Sequence, residues 1–286
     1  MKATRVVAVS TFGILFLGGS AKAQSQDMSI DFTMRDSGVV GFDLVRGSYP
    51  GHAVTSKGRI RIDMGGPARN IPVPGFADSG AISTIYLDSG RTVVYLNSKT
   101  KKYTQFNPFE TIDNLQSVMR SVGATMDVTF TGDPKVEYLG EGPVILGYKT
   151  KHFRLTMGLK FTTTLMGRRT TSENWSVFDE YIAPELGHMP DPFREAASLT
   201  GGRGTFNKLY FESIKRLRAK IGKGIELRGD VLSTTTDSHG KKTLRTIREV
   251  TRIERITASN DLFKIPVGYT RVEFPFGAAV PKNPAR

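Results

Sequence analysis

The chain has 286 residues, with 40 Lys and Arg against 27 Asp and Glu, a formal net charge of +13 and no cysteine. A chain of this length buries enough surface to hold a core without disulfides or a structural metal. The absence of cysteine excludes zinc–thiolate sites, iron–sulfur clusters, thiol nucleophiles and disulfides.

The first 23 residues have the composition of a secretory signal peptide. Lys2 and Arg5 form a basic start, residues 6–17 are apolar, and residues 21–23 read Ala-Lys-Ala, a small-x-small cleavage site. The apolar run is shorter than the about 20 residues of a membrane span, and no later segment approaches that length. We therefore predict export to the periplasm, with no transmembrane segment and, without a cysteine, no lipoprotein anchor.

From residue 28 onward the sequence indicates mainly β-structure. Apolar and polar side chains alternate with period two, β-branched residues are frequent, and turn residues separate the runs. Residues 65–80 hold three Pro and four Gly, which predicts a long loop. Strands are predicted at 28–34, 58–64, 83–87, 91–97, 127–131, 136–139, 148–157, 159–165, 174–182 and 225–236.

Residues 243–253 are harder to assign. Apolar side chains recur every third residue there and just beyond, a spacing that fits neither a regular strand nor a helix. They are Leu244, Ile247, Val250, Ile253 and Ile256. We predict a strand that carries a bulge, with a helix as the alternative.

Three helices are predicted between the strands. The first follows Pro108 and ends before Gly123, the second spans 191–199, and the third starts at Thr205 and ends before Gly222. Apolar side chains recur at helical spacing on the first and third helices, so we expect them to face the sheet. These candidate contact residues are Phe109, Ile112, Leu115, Met119, Phe206, Tyr210, Ile214 and Leu217.

No repeat or long linker divides residues 24–275, so we predict one β-rich domain, followed by a disordered tail at 276–286. No serine-hydrolase, metalloprotease or phosphate-loop motif occurs, and the four histidines are far apart. Asp179 and Glu180 are neighbours, so a strand would put them on opposite faces, and they are interpreted as surface residues. We predict no enzymatic activity and no cofactor, while a hydrolase site assembled around His188 and Asp191 stays open.

Basic residues suggest an anion-binding surface. Residues 201–204 read Gly-Gly-Arg-Gly before the third helix, an arrangement that lets N–H groups converge on an anion; a plain helix start capped by Thr205 is the alternative. A second basic run spans 241–255, and together the two could meet anionic lipid headgroups or simply be solvated. No aromatic residues are interleaved with them, so nucleic acid is not expected. The candidate headgroup-binding residues are Gly202, Arg203, Gly204, Lys215, Arg216, Arg218 and Lys220.

Several local patterns occur together in this chain. They are Thr-Ile-Tyr-Leu-Asp at 84–88 followed by 93–97, Leu-Gly-Tyr-Lys-Thr at 146–150, the strand that holds Trp175, and Leu-Phe-Lys-Ile-Pro-Val-Gly-Tyr at 262–269. With them the chain resembles the exported bacterial family of the DUF4412 type, which is similar to the LolA/LolB-like periplasmic lipoprotein carriers. The resemblance implies an α+β fold: a strongly curved antiparallel sheet, an incomplete barrel whose concave face is covered by helices and can hold an acyl chain.

The first functional hypothesis is therefore a non-enzymatic periplasmic protein that binds a lipid, a lipoprotein acyl chain or another amphiphile in a half-barrel. The alternative is an envelope interaction module that binds a protein or an acidic polymer through its basic surface and has no cavity. The sequence gives no indication of oligomeric state.

Overall fold

The computed structural model describes residues 27–40, 43–66, 81–199 and 205–273. Predictions made for residues 1–23, 201–204 and 276–286 lie outside these ranges. The described residues form thirteen β-strands and three α-helices. The strands are β1 (Asp27–Val40), β2 (Asp43–Ser56), β3 (Arg59–Met64), β4 (Ile82–Leu87), β5 (Thr92–Asn97), β6 (Lys102–Phe106), β7 (Ala124–Phe130), β8 (Lys135–Glu141), β9 (Lys151–Leu165), β10 (Arg168–Ala183), β11 (Ile225–Asp237), β12 (Gly240–Ile256) and β13 (Thr270–Arg271). The helices are α1 (Pro108–Ser121), α2 (Pro192–Leu199) and α3 (Thr205–Ile221).

All the strands belong to one sheet, whose order is β13-β6-β5-β4-β3-β2-β1-β12-β11-β10-β9-β7, with β8 pairing β9 beside β7. Strands β1 to β6 form one antiparallel meander, and strands β9 to β12 form a second. The two meanders join where β1 pairs antiparallel with β12.

The predicted fold class is wrong. The described chain is mostly β, as one large open sheet of thirteen strands, and helices do not cover a concave face of an incomplete barrel. The physical reason is the length and continuity of the strands: β9, β10 and β12 have 15, 16 and 17 residues and each pairs along most of its length with its chain neighbours. Helices α2 and α3, of 8 and 17 residues, pack only against part of such a sheet.

The strand with a bulge predicted for residues 243–253 is confirmed. Strand β12 pairs with β1 from Asp27↔Ile256 to Gly38↔Leu244, and its register shifts between Asp31 and Phe32, so Val250 and Ile253 lie opposite Phe32 and Ile30. Because Thr251 is the extra residue of the bulge, Val250 and Ile253 point to the same face although they are three residues apart. The bulge accounts for this one step of the three-residue spacing, and the other steps alternate between the faces.

Strand β2 was not predicted. Pro50 and the glycines at 47 and 51 argue against a strand in the sequence, yet β2 lies between β1 and β3. Pro50 stands where the pairing of β2 with β3 ends, at Gly51↔Met64. Gly51 is opposite Phe32, and a Cβ at Gly51 would lie 2.1 Å from the Phe32 ring, so the glycine leaves space for that ring.

A second glycine explains why β9 is one strand where two were predicted. Gly158 separates the predicted strands 148–157 and 159–165, but the pairing of β9 with β10 runs through it, and Gly158 lies opposite Trp175. A Cβ at Gly158 would lie 2.9 Å from the Trp175 ring. Here too the glycine permits the close approach of an aromatic ring and does not end the strand.

The sheet is buried on both faces, but in different places. On the face that contacts α2 and α3, called the helix face below, a central core contains Met28, Ile30 and Phe32, all 0–1% exposed, and α2 adds Phe193. On the opposite face, Phe263 of the C-terminal segment packs with Val54, Ile85, Val94 and Leu96. A third cluster forms where α3 places Leu217 and Ile221 against Leu155 of β9 and Ile182 of β10.

We predict that Gly51→Ala lowers the free energy of unfolding by about 1–3 kcal/mol, because the added methyl group overpacks against the buried Phe32 ring. Urea unfolding measures this change. Ser48→Ala, exposed on the same strand, is the matched control and should change stability by less than about 0.5 kcal/mol. In a Phe32→Leu background the penalty of Gly51→Ala should shrink; an unchanged penalty there would contradict the proposed clash.

Candidate ligand-binding cavity

A cavity of about 230 Å³ lies on the helix face, between strands β1, β10, β11 and β12 and the helices α2 and α3. Its lining combines apolar and charged groups. The apolar side chains are Met34, Phe178, Phe193 and Val231, and the charged ones that share the helix face are Arg218, Arg248, Glu180 and Glu226. Asp179, Gly229 and Thr246 complete the lining.

Strand periodicity and one bulge bring the two glutamates to the same face. Glu180 lies opposite Gly229 on β11, and their neighbours Phe178 and Val231 are also paired on the helix face. Glu226 precedes Gly229 by three residues, so regular alternation would turn its side chain to the other face. The register instead shifts between Tyr181 and Ile182, so Glu226 lies opposite Ile182 and shares the face of Glu180.

Gly229 provides the space that Glu226 needs. A Cβ at position 229 would lie 2.0 Å from Oε1 of Glu226. The Glu226 carboxylate therefore lies over the backbone of its own strand, where a side chain at 229 would displace it.

The arginines and glutamates of the cavity form two ion pairs that differ in length. Nη2 of Arg248 lies 2.7 Å from Oε1 of Glu226, and the Arg248 guanidinium stacks 3.7 Å from the centre of the Phe193 ring. Arg218 of α3 approaches Glu180 only to 3.7 Å, between Nη2 and Oε1. The first pair is in close contact, and the second is longer than a hydrogen bond.

Three buried polar atoms of these side chains have no hydrogen-bond partner within the described chain: Oε2 of Glu180, Nε of Arg218 and Nε of Arg248. Glu180 is only 3% exposed. An unpartnered group at this depth costs about 1–3 kcal/mol, and more when it is charged. Part of the hydrogen-bonding capacity that the fold leaves unused therefore lies in this cavity.

The same burial changes the acidity of Glu180. Burial, helped by the nearby Glu226 carboxylate, raises the pKa of Glu180 from 4.5 to about 7, while Arg218, Arg194 and Arg248 act in the opposite direction. Glu180 thus changes charge near neutral pH.

Asp191 fixes the wall of the cavity that α2 forms. Its Oδ1 accepts hydrogen bonds from the backbone N–H groups of Phe193 and Arg194, at 2.9 and 3.1 Å, and so caps the start of α2. Its Oδ2 accepts the backbone N–H of Glu226 at 3.0 Å. One buried carboxylate therefore ties α2 to the bulge in β11 and places Phe193 over Arg248.

Arg194 then connects α2 to α3. Its guanidinium donates to the carbonyl oxygens of Arg218 and Gly222, at 3.3 and 3.1 Å. These carbonyls belong to the C-terminal end of α3, where backbone acceptors lack partners within the helix. The side chain of one helix thus caps the other, beside the residue that pairs with Glu180.

The structure separates the predicted headgroup residues. Arg218 lines the cavity, whereas Lys215, Arg216 and Lys220 are exposed on α3. Of the predicted apolar contacts, Leu217 is buried against the sheet and Met119 is half-buried. The remaining predicted residues lie outside what the structure describes, either wholly or in their side chains: Gly202, Arg203, Gly204, Phe109, Ile112, Leu115, Phe206, Tyr210 and Ile214.

The residues of two other hypotheses, the hydrolase site around His188 and Asp191 and the basic run at 241–255, make other contacts in the structure. His188 contacts Arg255, at 2.6 Å between Nε2 and Nη2, while both carboxylate oxygens of Asp191 accept backbone N–H groups. Cations of the second basic run are largely ion-paired, as Arg245 with Asp230 and Arg248 with Glu226. They do not form a free basic surface together with α3.

The prediction that Asp179 and Glu180 lie on opposite faces is confirmed, but the interpretation of Glu180 as a surface residue is wrong. Asp179 faces away from the cavity side chains and accepts hydrogen bonds from Arg154, at 2.9 Å, and from His152, at 2.7 Å. Burial alone would raise the pKa of Asp179, but the hydrogen bonds from Arg154 and His152 and the charge of Arg154 outweigh it, and the pKa is lowered. The cluster stabilises the ionised carboxylate across β9 and β10.

Comparison with known proteins adds no assignment. No family model matches the chain, and no curated protein matches it; the family resemblance stays a prediction. Among the helices that the structure describes, none combines the length and apolar composition of a membrane crossing. In the same described ranges, no group of three or more His, Asp or Glu residues could hold a metal ion.

We predict that stability falls as pH rises through the titration of Glu180. Because its pKa is raised from 4.5 to about 7, the folded protein binds more protons than the unfolded chain between these values. The free energy of unfolding should therefore decrease across that window, and Glu180→Gln should remove a decrease on the order of 2–3 kcal/mol. Urea unfolding from pH 4 to pH 8 measures it.

The matched control for this prediction is Glu173→Gln, a partly exposed glutamate on the same strand, which should leave the pH profile parallel to that of the wild type. A parallel profile for Glu180→Gln as well would refute the raised pKa.

Proposed function

We propose that the protein is a non-enzymatic binder of a small amphipathic monoanion, which it holds in the cavity on the helix face. The observation that carries the proposal is that Oε2 of Glu180 is buried without a hydrogen-bond partner in a cavity lined by apolar side chains. The other carboxylate oxygen of Glu180, Oε1, lies 3.7 Å from Nη2 of Arg218. An anionic group at Arg218 could accept a hydrogen bond from protonated Glu180, while the apolar part of the molecule contacts Phe178, Phe193 or Val231.

The charge balance on the helix face favours an anion. Asp179 also borders the cavity, but its carboxylate is engaged by Arg154 and His152 on the other face. With Glu180 ionised, the two arginines and two glutamates of the helix face cancel; with Glu180 protonated, one positive charge remains uncompensated. Its pKa of about 7 makes the protonated form accessible at neutral pH. A bound anion would stabilise that form, so binding takes up a proton.

The size of the cavity sets how much of a ligand it can enclose. A volume of about 230 Å³ accommodates roughly eight non-hydrogen atoms, taking the volume of about 30 Å³ of a water molecule in the liquid. A short-chain carboxylate such as hexanoate fits within it, whereas a complete lipid acyl chain would extend through the open side of the cavity. A small amphiphile is therefore the ligand that we propose.

We place this function in the periplasm, on the signal-peptide pattern of residues 1–23. A second candidate function, an envelope module that binds an acidic polymer, is favoured by Lys215, Arg216 and Lys220, which are exposed on one helix. It ranks lower because the arginines expected to extend that surface are ion-paired.

Isothermal titration calorimetry with hexanoate tests the proposal. We predict saturable binding that Arg218→Gln weakens tenfold or more, the effect of losing one charge-assisted hydrogen bond of about 1.5–3 kcal/mol. Binding should weaken roughly tenfold from pH 6 to pH 8, as Glu180 must be protonated, and Glu180→Gln should abolish that dependence. Lys215→Gln removes the same charge from an exposed position of α3 and is expected to bind like the wild type.

Two results would overturn the proposal: no saturable heat at either pH, or hexanol binding as tightly as hexanoate, since the neutral molecule lacks the anionic group. A response to Lys215→Gln equal to that of Arg218→Gln would instead favour the exposed basic face of α3 as the binding site.

A further inference from the structure

Three strands extend beyond the rest of the sheet at one end. The pairing of β10 with β11 ends at Glu173↔Thr236, whereas β9 and β10 stay paired as far as Leu165↔Arg168. Strand β7 accompanies β9 to the same level, where Ala124 lies opposite Leu165. Residues 124–130, 159–165 and 168–173 therefore form a three-stranded tongue that protrudes five residues, about 17 Å, past β11.

The tip of the tongue is apolar. The turn between β9 and β10 has Met166 at φ 49° and Gly167 at φ 77°, a conformation in which Asn or Gly is preferred at the first position. Met166 is 84% exposed, and three further apolar side chains at the tip, Val122, Met126 and Leu165, are 39–53% exposed. Neither turn preference nor burial explains a methionine at this position.

Two cations lie beside this apolar tip. Arg168 and Arg169 are exposed directly after the turn, and within the described residues neither has an ion-pair partner. The acidic groups of the tongue lie farther from the tip: Glu173 pairs with Lys160 at 3.8 Å, and Asp127 lies opposite Thr162.

We propose that the tip of the tongue docks on an anionic lipid bilayer, with Met166 and Leu165 at the boundary of the acyl chains and Arg168 and Arg169 among the headgroups. Apolar side chains with adjacent cations are the arrangement that anchors peripheral proteins at such a surface. The inference is independent of the cavity and of its ligand.

The opposite end of β9 provides a matched control. Leu146 has the same turn geometry as Met166, with φ 51° and a glycine after it, and is 43% exposed. Exposed Val144 and Leu139 lie near it, but so do Glu141 and Glu137. Mixed charge gives this end no preference for an anionic surface.

The experiment uses the absence of native cysteine. Met166→Cys and Leu146→Cys in the full chain, each labelled with an environment-sensitive dye, are mixed with vesicles of phosphatidylcholine alone or with phosphatidylglycerol. The dye at 166 is expected to gain intensity and shift to the blue only with the anionic vesicles, and the dye at 146 to stay unchanged. Both labelled proteins have the same N-terminal segment, so any contribution of that segment to vesicle binding is equal in the two. A difference between their dye responses therefore reports on the tongue.

A second measurement does not depend on the label. In vesicle co-sedimentation, the double variant Arg168→Gln/Arg169→Gln should partition roughly 30-fold more weakly than the wild type, at about 1 kcal/mol for each cation near the surface. The fluorescence emission of Trp175, the single tryptophan, serves as the folding control. It should be the same in the double variant as in the wild type.

Three outcomes would overturn the proposal: equal dye responses at 166 and 146, partitioning that ignores phosphatidylglycerol, or a double variant that binds like the wild type. A dye response at 166 that rises with protein concentration without vesicles would identify a second copy of the chain as the occupant and would equally refute docking on a bilayer.

Discussion

The pairing of β1 with β12 is the interaction on which the rest of the structure depends. It joins the first and the last long strands of the chain over twelve residue pairs and makes one continuous sheet of two meanders. Met34 and Arg248 lie opposite each other in this pairing, and both line the cavity. A site built from positions 34, 180, 218 and 248 therefore exists only after the two ends of the chain have met.

The charges of the cavity explain why its two ion pairs differ. The Arg248–Glu226 pair has a close contact and an aromatic ring against the guanidinium, which offset its desolvation, whereas the Arg218–Glu180 pair lacks a close contact. Apolar residues of similar volume would generally be at least as stable at such depth. Stability alone does not account for the loose pair, and its unused hydrogen-bonding groups are what a ligand could satisfy.

Local patterns predicted most of the elements but little of the site. The three helices, the period-two strands and the bulge in β12 follow from residue spacing, because these features depend on near neighbours. Strand β2 was missed because tertiary structure explains why Pro50 and Gly51 occur in it. Pro50 lies where the pairing with β3 ends, and Gly51 leaves space for the Phe32 ring. The fold class came from a family resemblance that underestimated the number and length of the strands.

The cavity was beyond reach of the sequence for a similar reason. Glu226 turns inward only through a register shift against β10, and Glu180 is buried only because α3 and β11 pack around it. Of the basic residues on the third helix, Arg218 faces the cavity while Lys215 does not, and no spacing rule distinguishes them without the position of the sheet. The opposite faces of Asp179 and Glu180, by contrast, follow from strand geometry alone.

The bond network of Arg194 has a consequence for motion. Arg194, in the first turn of α2, is hydrogen-bonded to the last turn of α3. Asp191 in turn connects the first turn of α2 to β11. Helices linked in this way leave the sheet together, as one cooperative unit of local unfolding with a single free energy. Since both helices wall the cavity, loss of that unit would remove Phe193 and Arg218 from it in a single step.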